Sequence, residues 1–166
     1  MLPGWTIRLL AADDFPPEIG ATYYDNARAK ALYGRAVGPP DEWMLGEDSG
    51  IEVAALGGRP GIHSARWAED PILDLIAELV GTTDRRAHYV CELVALAPDG
   101  GELRGTGMLE GRIAEEPRGS EGFGYDPIFV PEGEERTVAE LGNAWKQQHS
   151  HRARAAADLS AALASN

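Results

Sequence analysis

Hydrophobic and polar positions along this 166-residue chain follow two periods, one typical of strands and one typical of helices. The longest apolar run, residues 87–97 (AHYVCELVALA), is hydrophobic at both alternating positions, which predicts a central strand buried on both faces. A Pro-Asp-Gly-Gly turn follows at 98–101, so we expect residues 102–113 to pair back antiparallel. Further strands are predicted for the shorter β-like runs at residues 5–10, 42–45, 51–56 and 128–130.

Helical patterns separate these runs. The Thr-x-x-Asp spacing that starts at Thr22 is that of a capping box, and it predicts a helix over residues 23–36 with Asn26 and Lys30 on one face. Asp-Pro at 70–71 is an N-cap followed by proline at the first helical position, and it predicts a second helix. A short helical turn is expected at residues 137–141, and a last helix from about residue 143 through the Ala-rich tail. Strands and helices in this order indicate one mixed α/β domain over residues 1–166.

Composition and charge limit the classes of partner that we expect for this chain. The chain is 43% hydrophobic and 25% charged, as in ordinary globular proteins. Its net charge of -12 would repel a polyanionic duplex, so we expect no nucleic-acid partner. Cys91 is the only cysteine, which excludes an intrachain disulfide and suits a reducing compartment. With no apolar run near the ~20 residues of a membrane span and no signal-peptide pattern, we expect a cytoplasmic protein without a membrane partner.

The candidate chemistry centres on residues 46–66 (GEDSGIEVAALGGRPGIHSAR), in which Glu47 and Asp48 precede an expected small-residue turn at Ser49 and Gly50. Two adjacent carboxylates repel each other unless a cation or water offsets their charge. A metal site and a solvated loop both explain the pair when it is taken alone. The sequence shows no zinc-ligand spacing, no GxSxG elbow and no GK[ST] phosphate loop.

Three further segments carry groups that bind phosphate, metal or bases: residues 18–30 (EIGATYYDNARAK), 119–131 (GSEGFGYDPIFVP) and 146–152 (KQQHSHR). Together with residues 46–66, and in this order, they resemble the inosine/xanthosine triphosphate pyrophosphatase family, the Ham1-like enzymes. The resemblance extends from about Pro17 to the C-terminus. It implies a mixed central sheet flanked by helices, an elongated two-lobed molecule with a cleft between the lobes, and a homodimer. It also implies hydrolysis of dITP, ITP or XTP to the nucleoside monophosphate and pyrophosphate.

The resemblance further implies a Mg²⁺ cofactor and the residues that hold it. Glu18 and Asp48 would be metal ligands, with Glu47 as a helper, and Asp48 would also serve as the catalytic base. Magnesium prefers hard oxygen ligands and keeps several waters, so a few carboxylates suffice.

Phosphate and base contacts are implied by the remaining segments. Lys30 and Lys146 would hold phosphate, although each is also explained as a solvated surface charge. Ser49 and Gly50 would offer backbone N–H groups to phosphate. Phe123 would stack on the purine, Asp126 would accept a hydrogen bond from the base edge, and His151 and Arg152 would donate hydrogen bonds to the base. The implied substrate-binding residues are therefore Lys30, Ser49, Phe123, Gly124, Tyr125, Asp126, Lys146, His151 and Arg152.

One family block has no counterpart in this chain. Members generally open with a strand that leads into a Thr/Ser-x-Asn-x-x-Lys loop, whereas this sequence begins where the second strand of the family would lie. Three explanations stay open. The true start lies upstream, or the enzyme holds phosphate by Lys30 and Lys146 alone, or the protein is a purine nucleotide-binding module with little turnover.

Overall fold

A five-stranded antiparallel sheet forms the centre of the computed structural model, which describes residues 2, 4–12 and 14–165. Its strands are β1 (Met44–Val53), β2 (Pro60–Gly61), β3 (Arg86–Leu96), β4 (Glu102–Ile113) and β5 (Phe129–Pro131). They lie in the order β2-β1-β3-β4-β5, and each neighbouring pair is antiparallel. The mixed α/β class is confirmed, and the sheet within it contains antiparallel pairs throughout the described strands.

Strand β3 occupies the centre, as its apolar run predicts. Every residue from Tyr89 to Leu96 is buried, because β1 and β4 flank the strand and helices cover both faces. The expected hairpin is confirmed: Leu96 pairs with Glu102 across the glycine-containing turn.

The helices are α1 (Tyr23–Val37), α2 (Pro71–Glu78), α3 (Val138–Leu141), α4 (Asn143–His149) and α5 (His151–Ala164). The predicted caps are confirmed. The Thr22 hydroxyl accepts from the Asp25 N–H at 3.1 Å while the Asp25 carboxylate accepts from the Thr22 N–H. Asp70 caps α2 by accepting from the Leu73 N–H. Within the described residues, none of these helices has both the length and the hydrophobicity needed to cross a membrane.

Three hydrophobic clusters hold these layers together. Helix α1 packs on one face of the sheet, where Ala27 and Ala31 meet Val94 and Leu96. Helix α5 packs on the opposite face, against the half of β3 that contains Cys91. The other ends of the long strands join α2 in a separate, larger cluster, whose members include Ile51, Tyr89, Leu109 and Phe129. Different elements therefore pack the two ends of the strands, which agrees with the expected two lobes.

Two glycines permit the close approach of these helices. A Cβ at Gly46 of β1 would collide with the Ala27 carbonyl of α1. One at Gly107 of β4 would collide with the His151 carbonyl of α5. Both helices therefore lie nearer the sheet than side chains at these positions would allow.

Four local predictions are wrong. The strand predicted over residues 51–56 ends at Val53, and Ala54–Leu56 form a 3-10 helix. Residues 5–10 form no strand, and the small residues Ser49 and Gly50 continue β1 instead of turning it. The expected last helix is two helices, because Ser150 adopts an extended conformation and caps α5 by accepting from the Ala153 N–H at 3.2 Å.

Candidate active site

A cavity of about 240 Å³ beside the middle of β1 brings together every residue that the sequence nominated for the site. They come from the irregular segment before α1, from α1, from β1, from the loop after β4, from α4 and from α5. The nominated residues are Glu18, Lys30, Glu47, Asp48, Ser49, Phe123, Gly124, Tyr125, Asp126, Lys146, His151 and Arg152.

The alternation of β1 divides this cavity into two sides, since successive side chains of a strand point to opposite faces of the sheet. Asp48 points toward α1, where Asn26 Nδ2 donates to it at 3.2 Å and Lys30 Nζ at 2.8 Å. Glu47 points toward α5, where Arg152 Nε donates to it at 3.0 Å. The two adjacent acids therefore belong to different halves of the site.

On the α1 side, one ammonium group joins two carboxylates. Lys30 Nζ lies 2.5 Å from Glu18 Oε1 and 2.8 Å from Asp48 Oδ1, and it donates to the Glu47 carbonyl at 2.9 Å. Arg66, to which the sequence assigned no catalytic or binding role, binds the other oxygen of Glu18 and donates to the Glu18 carbonyl at 3.0 Å. Lys30 and Arg66 thereby fix a carboxylate that lies outside any helix or strand.

The two carboxylates differ in proton affinity. Burial raises the pKa of Asp48 above its ordinary value, and the hydrogen bonds from Lys30 and Asn26 only partly oppose this shift. Burial also acts on Glu18, but the hydrogen bonds from Lys30 and Arg66 outweigh it and lower the pKa of that group. Of the two, Asp48 is the better proton acceptor.

The donor set on this side suits a hard divalent cation. Glu18 and Asp48 already converge on one positive charge, and Mg²⁺ is commonly held by one or two carboxylates with substrate phosphates and water. No group of three or more His, Cys, Asp or Glu side chains in the described part of the chain could hold a metal ion. This geometry does not favour the expectation that Glu47 helps to bind the metal, because its carboxylate lies on the other face of β1, where it binds Arg152.

The opposite side of the cavity contains an aromatic ring with two cations close to it. Phe123 is 64% exposed, with Lys146 Nζ at 3.8 Å and Arg152 Cζ at 5.2 Å from its ring centre. Lys146 therefore lies with the ring and not with the α1-side carboxylates, so the structure does not favour the phosphate role expected for it. Nor is it a solvated charge, because its side chain is only 13% exposed and pairs with Asp126.

Asp126 binds the backbone of Phe123 and the side chain of Lys146. It is 2% exposed, and its Oδ2 accepts from the Phe123 N–H at 2.8 Å and from the Lys146 ammonium. The Tyr89 hydroxyl lies 3.5 Å from Oδ1. Because Asp126 is buried and both of its oxygens face protein donors, it holds the loop and Lys146 in place. This geometry does not favour the role of base-edge acceptor that the resemblance implied.

His151 contributes a neutral imidazole. It is buried and stacks on the Tyr89 ring, with 4.6 Å between the ring centres. Burial, with the positive charges of Arg152 and Lys146, lowers the pKa of His151 to about 3. Its Nδ1 atom has no hydrogen-bond partner among the described residues. An imidazole in this state can both donate and accept hydrogen bonds.

Two other nominated residues line the wall. Tyr125 packs beneath the cavity and its hydroxyl donates to the Ser64 carbonyl at 3.0 Å. The Ile51 N–H donates to Ser64 Oγ on the outer edge of β1, and by strand alternation the Ser49 N–H also faces outward. The Gly50 N–H faces β3 instead, so Ser49 alone of the expected pair can offer a backbone donor.

A second cavity, of about 610 Å³, lies between residues 5–10 and β1, and it shares Lys30 and Glu47 with the first. Its lining is mainly apolar, as the presence of Leu2, Trp5 and Trp43 illustrates. The smaller cavity combines paired carboxylates, cations and an exposed ring, so we assign the candidate site to it.

Known proteins share this arrangement of sequence and fold. The chain is 44% identical over 164 residues to a dITP/XTP pyrophosphatase of Deinococcus deserti. The aligned region covers 95% of this chain and 77% of that protein. It is 46% identical over 157 residues to a dITP/XTP pyrophosphatase of Mycobacterium bovis, covering 90% and 76% of the two chains.

Solved structures agree. The Ham1 protein of Staphylococcus aureus superposes with a TM-score of 0.85 at 39% identity, covering 92% of this chain and 82% of that one. A HAM1 protein from Coxiella burnetii gives a TM-score of 0.83 at 35% identity, with the same coverage. The Ham1 family model matches residues 3–162. This chain therefore belongs to the Ham1 family.

Proposed function

We propose that this protein hydrolyses the non-standard purine nucleoside triphosphates dITP, ITP and XTP to the nucleoside monophosphate and pyrophosphate. The observation that carries the proposal is the two-sided cavity: two carboxylates share a cation on one side, and an aromatic ring with two cations close to it lies on the other. The activity named for relatives at 44% and 46% identity supports it.

Asp48 acts as the base in this reaction. Water adds across the anhydride bond between the α- and β-phosphates: its oxygen bonds to phosphorus, its proton passes to a carboxylate, and the bond to the departing pyrophosphate breaks. Asn26 and Lys30 hold Asp48 in place, and burial raises its pKa, which strengthens it as a proton acceptor.

Magnesium is the cofactor that we propose, held by Glu18 and Asp48. When bound, it would neutralise phosphate oxygens and make water more acidic. Arg66 keeps Glu18 at the site, and the Lys30 ammonium steers phosphate toward the two carboxylates. The Ser49 N–H adds a neutral donor at the strand edge.

The side of the cavity that contains Phe123 selects the purine base of the substrate. A 6-oxo purine offers an acceptor where adenine offers an amino group, so a wall of donors matches hypoxanthine and xanthine and leaves adenine unpaired. Arg152 and Lys146 supply such donors beside Phe123, on which the purine would stack.

The test compares ITP, XTP, GTP and ATP in the presence of Mg²⁺, with the products identified. We expect pyrophosphate and not orthophosphate, and a rate about 10²- to 10⁴-fold lower for Asp48→Asn, the usual contribution of a general base. Asp74→Asn, an exposed carboxylate on α2, is the matched control and should leave the rate unchanged. Orthophosphate would show that a different bond breaks. A rise in melting temperature with intact ITP would identify a binder without turnover.

We also propose that the enzyme is a homodimer and works in the cytoplasm, as the family resemblance implies. Sedimentation equilibrium tests the first point: a mass near twice 17.8 kDa supports a dimer, and a mass near 17.8 kDa refutes it. Fractionation of the source cell tests the cytoplasmic location.

A further inference from the structure

Glu47 and Ser49 both bind the guanidinium group of Arg152. Arg152 Nε donates to Glu47 Oε1 at 3.0 Å, and Nη2 donates to Ser49 Oγ at 2.8 Å. The two acceptors are two residues apart on β1, so they present their side chains on the same face of the sheet. A guanidinium has five N–H donors in a rigid plane. Two of them are bound here, and within the described chain the Nη1 group is left for a ligand.

A third contact fixes Glu47 itself. The buried Cys91 thiol lies 3.6 Å from Glu47 Oε1, on the strand paired with β1. Burial raises the pKa of this thiol, so it stays protonated and can donate. The carboxylate is thus oriented from β3 as well as by the arginine that it binds.

We propose that Glu47 and Ser49 are positioning residues that set the plane of Arg152 for discrimination between purine bases. The inference rests on the proposed function and assigns Glu47 to base selection instead of metal binding. Arginine side chains lose considerable rotamer freedom when ordered, and two anchors on a rigid strand remove that cost before the substrate arrives. They also prevent the guanidinium from turning away, and a movable donor would reject adenine less strictly.

The variants are Glu47→Gln, which keeps the shape of the side chain, and Ser49→Ala, which removes the second anchor independently. Glu92→Gln is the matched control, because Glu92 also binds an arginine through Nε and lies on β3, outside the cavity. The first measurement is the ratio of kcat/KM for ITP to kcat/KM for ATP. The second is the Mg²⁺ concentration that gives half-maximal rate.

We expect Glu47→Gln and Ser49→Ala to lower the ITP/ATP ratio about tenfold, a fraction of the 10⁴ to 10⁵ that a hydrogen-bonding site can achieve. The Mg²⁺ requirement should stay unchanged. Glu47→Gln should add little to Arg152→Met, because the first acts through the second. The inference is overturned if the ratio is unchanged, if the control lowers it equally, or if Glu47→Gln shifts the Mg²⁺ requirement instead.

Calorimetric binding of IMP and AMP without metal separates this inference from the proposed function. If the wild-type protein does not hydrolyse ITP, the proposed function fails. A selective loss of IMP affinity in Glu47→Gln would still support the positioning role, and equal affinities in variant and wild type would refute it.

Discussion

The buried His151 should make the stability of this protein depend on pH. The perturbation is a decrease in pH from 7.5 to 4.5, applied to the wild type and to His151→Gln. The imidazole is 3% exposed, it stacks on Tyr89, and the charged groups that lower its pKa are the cations Arg152 and Lys146. Burial and the two neighbouring positive charges disfavour a protonated ring.

The sign and magnitude follow from linkage. In the folded protein the pKa of His151 is about 3, whereas a histidine in the unfolded chain has its ordinary value of 6.5. Between these pH values the unfolded state binds a proton that the folded state does not, so stability decreases as the pH falls below 6.5. Each pH unit costs up to about 1.4 kcal/mol per proton. Allowing for relaxation around the charged ring, we expect a loss of about 2 kcal/mol by pH 4.5.

Urea denaturation followed by tryptophan fluorescence measures this loss at each pH. Other groups also titrate in this range, so the informative quantity is the difference between the wild type and His151→Gln, in which their contributions largely cancel. The variant should lose about 2 kcal/mol less than the wild type on acidification. Parallel pH dependences would refute the reasoning, as would an NMR titration that gives His151 a pKa near 6 in the folded protein.

Three further predictions concern the packing of α5 on the sheet, the cap of α1 and the contact between Arg66 and Glu18. Gly107→Ala should destabilise the fold by about 1–3 kcal/mol, because the added methyl group meets the backbone of α5. The same change at Gly101, whose nearest neighbouring atom would lie at 3.3 Å, should cost less in the same thermal melts, and equal costs would contradict this account. Thr22→Ala should cost about 1 kcal/mol in denaturation experiments by removing the cap of α1, and an unchanged midpoint would count against it. Arg66→Met should lower kcat/KM for ITP about tenfold by releasing Glu18, with partial recovery in Arg66→Lys; a wild-type rate would show that Lys30 suffices.

The sequence predicted those features of the fold that depend on nearby residues. The caps at Thr22 and Asp70 and the hairpin between β3 and β4 each depend on a few consecutive side chains. Residues 5–10 have the composition of a strand but form none, because a strand needs a partner that local composition does not supply. Ser49 and Gly50 suggested a turn, yet Gly50 is small because Gly61 and Ser64 approach the backbone of β1 there.

The site was predictable as a set of residues but not as a set of contacts. Once residues 44–53 are recognised as one strand, alternation alone places Glu47 and Asp48 on opposite faces. The pairing of Arg66 with Glu18 joins positions 48 residues apart, and that of Lys146 with Asp126 joins positions 20 apart. No periodicity spans such distances, so these partners follow only from the folded chain.

The ten-residue strand β1 has a consequence for how this protein can change. Inserting or deleting one residue between positions 44 and 47 would move both acidic side chains to the opposite face, so that Asp48 would point toward α5 and Glu47 toward α1. We therefore expect a change in the length of this strand to disrupt the site more than a conservative substitution at an exposed position such as Leu45. A designer who wants a different purine would therefore start with the side chains on the Glu47 face and leave Asp48, the base in the proposed reaction, untouched.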